Sequence, residues 1–306
     1  MPELPDLTIV AEAFHAALAG RPITRAEAPA PLAIRGTPGE LAALVGQRLE
    51  RVVRRGKFLL LDLERDAIAI NPMLTGRFQL AAPGTREPSK TAVVLAFGAR
   101  ASGPGTGSQR AGHRSRRMQP PGAASWTLGA AWLPADDAPV EVRYRDPTQM
   151  GKVYLRPAGI ERPIPGLGDE QGPDADDPTL TLEAWRDRIR RHPGELKNLL
   201  RNQAFVAGIG NAYSDEVLHA ARLQPFRTRA SLASEEVDEL YRATRTTLAR
   251  AIDVLRERVP PTFEKQVRDF LAVHDKGGQP CPRCGTTITE IRPGGMITSY
   301  CRGCQR

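Results

Sequence analysis

Val206-Ala207-Gly208-Ile209-Gly210-Asn211-Ala212-Tyr213-Ser214-Asp215-Glu216 joins two helical patterns through a glycine-punctuated turn. Upstream, Leu196 to Leu200 continues a helix, and Trp185 and Ile189 mark the one before it; downstream, Ala212 to Ala221 forms a third. The glycines permit a tight backbone turn, and Asn211 is expected to cap the following helix. Unpaired N–H groups and the positive end of the helix dipole would then face outward, where an anion such as phosphate binds. A glycine turn with an Asn cap is also common as plain structure. Further on, Val237, Leu240, Thr244, Leu248, Ile252 and Leu255 give a long amphipathic helix.

On the N-terminal side the period changes. Asp6 is placed to cap a helix with Leu7, Val10, Phe14, Ala17 and Leu18 on its apolar face, ending at Gly20. Strand-like runs follow at 49–53, 58–63, 67–70, 78–80, 92–97, 140–144 and 153–155, enough for a sandwich. Residues 100–125 are rich in Gly, Pro, Ser and Arg and read as a flexible insertion between two strands. Pro163 to Pro178 is expected to be the interdomain linker.

On the C-terminal side stand the chain's four cysteines, Cys281-Pro-Arg-Cys284 and Cys301-Arg-Gly-Cys304, sixteen residues apart. Two Cys-x-x-Cys turns on a hairpin supply four thiolates to a common tetrahedral centre. The expected metal is one structural Zn²⁺, with no open coordination position and hence no chemistry of its own. Two disulfides are the alternative, disfavoured without a secretory signal. The 306 residues suffice for two domains and this module, and the net charge of +8 favours a polyanionic partner. No apolar run approaches a membrane span, so a cytoplasmic, nucleoid-associated location is expected.

Taken together, Pro2-Glu3-Leu4-Pro5, Arg55-Gly56-Lys57-Phe58, the segment around Met73, Asp146-Pro147, the Gly208 to Asn211 turn and the four-cysteine finger resemble the formamidopyrimidine-DNA glycosylase and endonuclease VIII family of base-excision repair enzymes. The resemblance covers nearly the whole chain. It implies an α+β multidomain fold: an N-terminal β-sandwich with a flanking helix over 1–162, a linker at 163–178, a helix-two-turns-helix domain over 179–277 and a zinc finger hairpin over 278–306. It also implies a monomer acting on damaged double-stranded DNA as glycosylase and AP lyase, with zinc and no organic cofactor. Pro2, freed by removal of the initiator Met, would be the nucleophile, since a free α-amine has a reference pKa near ~8 and is partly neutral at neutral pH. Glu3 would move protons, and Lys57, at a strand start, would engage the lesion backbone and assist. Each of these residues taken alone fits a bland surface or core role.

An enzyme that flips a base must fill the vacated stack, and the resemblance gives that task to Met73. Where the family carries Asp-Pro-Arg-Arg-Phe-Gly, this chain has Asp146-Pro147-Thr148-Gln149-Met150-Gly151, so Thr148 and Met150 stand in the DNA-reading loop without its guanidinium or flat ring. The family's lesion cap is missing, because Arg268-Asp269-Phe270 runs almost directly into Val273. Its phosphate-gripping finger arginine is replaced by Met296, leaving Arg292 or Arg302 to reach over. These departures motivate an alternative, a noncatalytic damaged-DNA binding protein on the same scaffold. A zinc ribbon of the transcription or translation apparatus is the third reading, but it leaves Pro2 and Lys57 unexplained.

Overall fold

The computed structural model describes residues 1–100 and 123–306. Most of the expected insertion, including Arg110, Arg114, Arg116 and Arg117, lies outside the described residues. Helix α1 (Leu4–Leu18) leads into β1 (Ile23–Glu27), β2 (Ile34–Arg35), a short α2 (Pro38–Ala42) and strands β3 (Leu49–Arg55), β4 (Phe58–Leu63), β5 (Ala67–Asn71), β6 (Arg77–Ala81), β7 (Thr91–Phe97), β8 (Val140–Arg145) and β9 (Lys152–Arg156). Every strand expected from the sequence is present. β1, β2 and α2 have no counterpart among those expectations, because each is short and carries too few apolar residues to announce a period.

The strands form a sandwich of two sheets, ordered β1-β7-β8-β6 and β2-β9-β5-β4-β3. β7 is buried along its whole length, whereas β3 turns only Leu49 and Val52 fully inward, as a strand flanked by solvent does. Helix α1 covers the sandwich at β3 and simultaneously packs on the long helix of the second half. Leu7, Val10, Phe14, Ala17 and Leu18 are all buried, as their spacing requires. Phe14 meets Phe78 of β6 and Phe263 edge-on, at centroid distances of 6.0 and 5.6 Å.

The second half contains α3 (Leu182–Arg191), α4 (Leu196–Arg201), α5 (Asn211–Ala221) and α6 (Ser234–Arg258), and the chain ends in a hairpin of β10 (Thr289–Ile291) and β11 (Thr298–Tyr300). Trp185, Phe205 and Tyr241 stack their rings within this half. One continuous apolar cluster runs from the sandwich through α1 into α3–α6, and a small separate one, with Val273, Cys281, Ile288 and Cys301, lies in the finger. The residues expected to form a linker are tied to both halves: Gly172 N–H donates to Gln203 O at 2.8 Å, and Asp174 reaches the β3–β4 turn.

Candidate active site

Asn211 is the first helical residue of α5, not its cap; Gly210 holds the cap position. The anion received by this helix end is internal. The carboxylate of Glu3, only 2 % exposed, accepts N–H bonds from Gly210 (2.6 Å), Ala212 (2.9 Å) and Tyr213 (3.2 Å). Three donors at the positive end of the helix dipole hold the carboxylate in place. The glycines make this approach possible. A Cβ at Gly210 would lie 2.5 Å from Glu3 Cδ, and one at Gly208, whose φ is +99°, would lie 2.7 Å from Leu4 Cβ. Leu4 N–H also donates to Gly208 O at 2.9 Å, so the N-terminus is latched to the turn by backbone and side chain.

Glu3, rather than Asp6, is the cap residue of α1. Asp6 sits one turn in and accepts from Glu3 N–H at 2.8 Å, one half of a capping box whose other half is given up because the Glu3 carboxylate is bound to α5. Its carboxylate also takes Arg268 Nη2 at 2.5 Å, while Arg268 Nη1 donates to Tyr213 Oη at 3.1 Å and the guanidinium lies over the Tyr213 ring. Asp6 therefore orients its neighbours. Buried Pro2 lines a small pocket with Asp6, Arg77, Phe263 and Gln266. The Met1 amine has its pKa lowered, first by burial and then by the Arg77 charge, against the opposing pull of Glu3 and Asp6.

Lys57 occupies the turn between β3 and β4 and not a strand start. That turn is clamped by the segment expected to be a linker: Arg54 pairs with Asp174 at 3.1 Å and Asp176 at 2.7 Å, Arg55 Nη2 donates to Gly172 O, and Gly56 N–H donates to Asp174 Oδ1 at 2.6 Å. Burial lowers the Lys57 pKa, Glu3 opposes that fall, and Arg201 adds to it. Lys57 thus shares an electrostatic environment with Glu3 although the two are far apart along the chain.

The turn that carries Met73 and the 146–151 loop meet through the hydroxyls of Thr75 and Thr148. Thr75 Oγ1 bonds both Asp146 Oδ1 (2.5 Å) and Thr148 Oγ1 (2.6 Å), and Gly151 N–H donates to Asp146 Oδ2 at 2.6 Å. Burial works against the Asp146 charge, yet these bonds hold its carboxyl below its ordinary pKa. Met73 is held at φ +46°, a backbone conformation costly for any residue but Gly, and its side chain is half-buried. Met150 is 44 % exposed and Leu74 50 % exposed, so two apolar side chains project from adjoining turns. Thr148 is committed to the loop's internal bonding.

The four cysteine Sγ atoms lie within 4.8 Å of one another, with Cys281–Cys304 at 3.8 Å and Cys284–Cys301 at 3.4 Å, and none is disulfide-bonded. Four thiolates at ~2.3 Å from a tetrahedral metal stand ~3.8 Å apart, a value within the spread of these separations, so donor set and spacing suit a metal ion. The finger is fastened to α5 by buried acids. Asp215 Oδ1 takes Lys197 Nζ at 2.6 Å, and its Oδ2 faces His274 Nδ1 at 2.8 Å and Ser299 N–H at 3.1 Å. Glu216 accepts from the backbone N–H groups of Ala272, Val273 and His274. Sequence reasoning misses this docking, although two consecutive acids in a helix that is otherwise almost wholly buried are themselves a signal. Asp215→Ala strands a buried Lys197 and is expected to cost about 3–5 kcal/mol in urea unfolding, with Glu3 left in place.

Met296, 41 % exposed, occupies the finger tip. Neither substitute arginine replaces it: Arg292 pairs with Glu290 at 3.2 Å, and Arg302 lies over the Tyr300 ring, 5.9 Å from its centre.

Residues 1–114 match the formamidopyrimidine-DNA glycosylase N-terminal domain, and residues 171–259 match the formamidopyrimidine-DNA glycosylase H2TH domain. The formamidopyrimidine-DNA glycosylase of Heliobacterium modesticaldum is 32 % identical over 314 residues, covering 100 % of both chains. That of Thermomicrobium roseum is 31 % identical, covering 100 % of this chain and 99 % of its own. Among solved structures, the MutM (Fpg) protein of Thermus thermophilus superimposes with a TM-score of 0.74 at 26 % identity, covering 99 % of this chain and 98 % of that one. The Lactococcus lactis Fpg in complex with abasic-site DNA gives 0.78 at 22 % identity and 99 % coverage of each, a likeness of fold. With full-length relatives above 30 % identity and both domain models matched in order, the chain belongs to the formamidopyrimidine-DNA glycosylase family.

Proposed function

We propose that this protein is a bifunctional DNA glycosylase and AP lyase of base-excision repair, acting on oxidised or ring-opened bases in double-stranded DNA with Pro2 as nucleophile. The observation that carries the reading is the Glu3 carboxylate, next to Pro2 in the chain, held by three amides at the N-terminal end of α5, that of the cap Gly210 included. Once Met1 is removed, the secondary amine of Pro2 attacks C1′ of the damaged nucleotide and the base departs. The resulting iminium is an electron sink from which the 3′ phosphate is eliminated, so base removal and strand scission share one intermediate. Glu3 takes the proton that the Pro2 amine releases on forming the iminium, passes it to the sugar ring oxygen as the C1′–O4′ bond opens, and then moves protons during elimination. The Pro2 amine freed by removal of Met1 would stand in the pocket lined by Asp6, Arg77 and Phe263.

Lys57 engages the lesion-strand backbone beside Glu3, and Asn211, whose Nδ2 holds Ile297 O at 2.8 Å, lines the same surface. Met73 and Met150 fill the space left by the flipped base, and Thr148 takes its place in that loop by fixing Asp146 and Thr75 rather than by reading a base. The cap position carries no loop: Arg268 is bound to Asp6, and residues 272–274 are bound to Glu216. An uncapped site suits ring-opened purines, oxidised pyrimidines and abasic sites better than strict 8-oxoguanine. Domain limits of 1–162, 163–178, 179–277 and 278–306 fit this division of labour, as do a monomeric state and a cytoplasmic, nucleoid-associated location. Among the described residues no helix is long and apolar enough to cross a membrane.

Zn²⁺ is the metal that suits four thiolates, where it would stiffen the finger. Metal analysis of the purified protein is expected to return one zinc per chain, and Cys301→Ser to lose it with DNA affinity while the sandwich stays folded by circular dichroism. Borohydride trapping on single-lesion duplexes tests the enzymatic reading. A covalent adduct mapping to the N-terminal peptide is expected, whereas tight binding with neither adduct nor scission on any lesion or abasic site would make the protein a damage-binding scaffold.

A further inference from the structure

Met296 deprives the finger of a guanidinium, yet a guanidinium stands against it. Arg201, the last residue of α4, brings Nη2 to 2.6 Å from Met296 Sδ. Among the described residues that sulfur is its only side-chain hydrogen-bond partner, and no carboxylate pairs with it. A thioether is a weak, uncharged acceptor, so four of the five guanidinium N–H groups and the full charge remain free for another partner. The neighbouring cation behaves differently: Lys197, one turn earlier on α4, is neutralised by Asp215 at 2.6 Å.

The surroundings define what Arg201 faces. Lys197 Nζ and Asn211 Nδ2 both donate to Ile297 O, at 2.7 and 2.8 Å, which pins the finger residue next to Met296 against the start of α5. The end of α4, the start of α5 and the finger tip therefore converge. Arg201 is half-buried there, close enough to Lys57 for its charge to be felt. Asn211 Nδ2 spends one N–H on Ile297 O and has a second to give. An unpaired guanidinium beside a lysine and an amide is a donor set for a tetrahedral anion, and Arg presents a planar fork that matches two phosphate oxygens.

We propose that Arg201 binds a backbone phosphodiester of the DNA, with Met296 acting as the apolar rest that holds its guanidinium in place. The phosphate grip thus belongs to the helical domain in this chain and not to the finger. Because α4 runs directly into the turn whose amides hold Glu3, a phosphate on Arg201 is registered to the reacting sugar through rigid backbone. This inference rests on the proposed action on DNA.

The test is binding to a duplex containing a tetrahydrofuran abasic analogue, which cannot be cleaved, over a range of salt concentrations. Arg201→Met is expected to weaken binding about tenfold and to reduce the slope of log K against log salt by about 0.9, one phosphate contact. Arg201→Lys should keep the slope while losing part of the affinity. Adding Met296→Arg to Arg201→Met should restore both from the finger side. Wild-type affinity and slope in Arg201→Met would overturn the proposal, and so would weaker binding with an unchanged slope and a lower melting temperature, which assigns Arg201 to the fold. Borohydride trapping of the wild type on true abasic DNA separates the two levels. An adduct with an indifferent Arg201→Met refutes only the phosphate contact, whereas neither adduct nor binding by the wild type refutes the DNA reading and the contact with it.

Discussion

A chain extended by a few residues before Pro2 is expected to give no borohydride adduct and to lose strand scission at abasic sites by on the order of 10⁴-fold or more, because the nucleophile is gone. In the extended chain the Pro2 nitrogen belongs to a tertiary amide whose lone pair is delocalised into the carbonyl. It cannot attack C1′, and no iminium forms. Binding should change far less, since the backbone contacts lie on other elements. Pro2 is buried in a pocket bounded by Arg77, Phe263 and Gln266, and Gln266 Nε2 already reaches Met1 O at 3.3 Å, so this pocket accommodates one residue ahead of Pro2 without disturbing Glu3. Gel-shift affinity on the tetrahydrofuran duplex and trapping on abasic DNA, run on the same preparations, measure the two effects. Equal trapping by extended and processed chains would remove Pro2 from the mechanism.

Glu3→Gln carries the second large effect, and it acts on both stability and rate. The side chain keeps its shape, but one carboxylate oxygen becomes an NH₂ pointed at backbone N–H donors. Gly210 and Tyr213 share Oε2, and Ala212 has Oε1 to itself. Either orientation of the amide sets donor against donor in a site 2 % exposed, which costs roughly 1–3 kcal/mol for the unsatisfied groups. The lost charge also forfeits the attraction of the α5 dipole. Base excision in single turnover is expected to fall about 10²–10⁴-fold, the usual worth of a positioned proton-transfer group. Urea unfolding measures the first loss and quench-flow cleavage the second. A Glu3→Gln protein of normal stability and rate would mean that the carboxylate neither anchors the N-terminus nor moves protons.

Glu3 also shows where sequence reading misplaces a role. The glycine turn points to an anion at the start of α5, and an anion is there, but it arrives from the other end of the chain. Glycine at 208 and 210 signals close approach without naming the visitor. Asp6 is displaced by one turn for a related reason: Ser, Asp and Asn are favoured caps, but Glu3 is free to cap α1 because α5 fixes its side chain. Lys57 falls in the turn because a β-hairpin places its polar residues at the reversal, where Asp174 can reach Gly56 N–H.

What the sequence determined by itself is local. Alternation in the strand runs, the apolar stripes of α1 and α6 and the paired Cys-x-x-Cys turns follow from backbone geometry over a few residues, so they can be read along the chain. Only the tertiary structure decided what each buried charge meets: Glu3 the amides at the start of α5, Asp6 Arg268, Lys197 Asp215. These contacts carry no period, and most join positions about a hundred or more residues apart. They form because a buried charge must find a partner wherever the packed elements bring one, and that requirement is met in space rather than along the sequence.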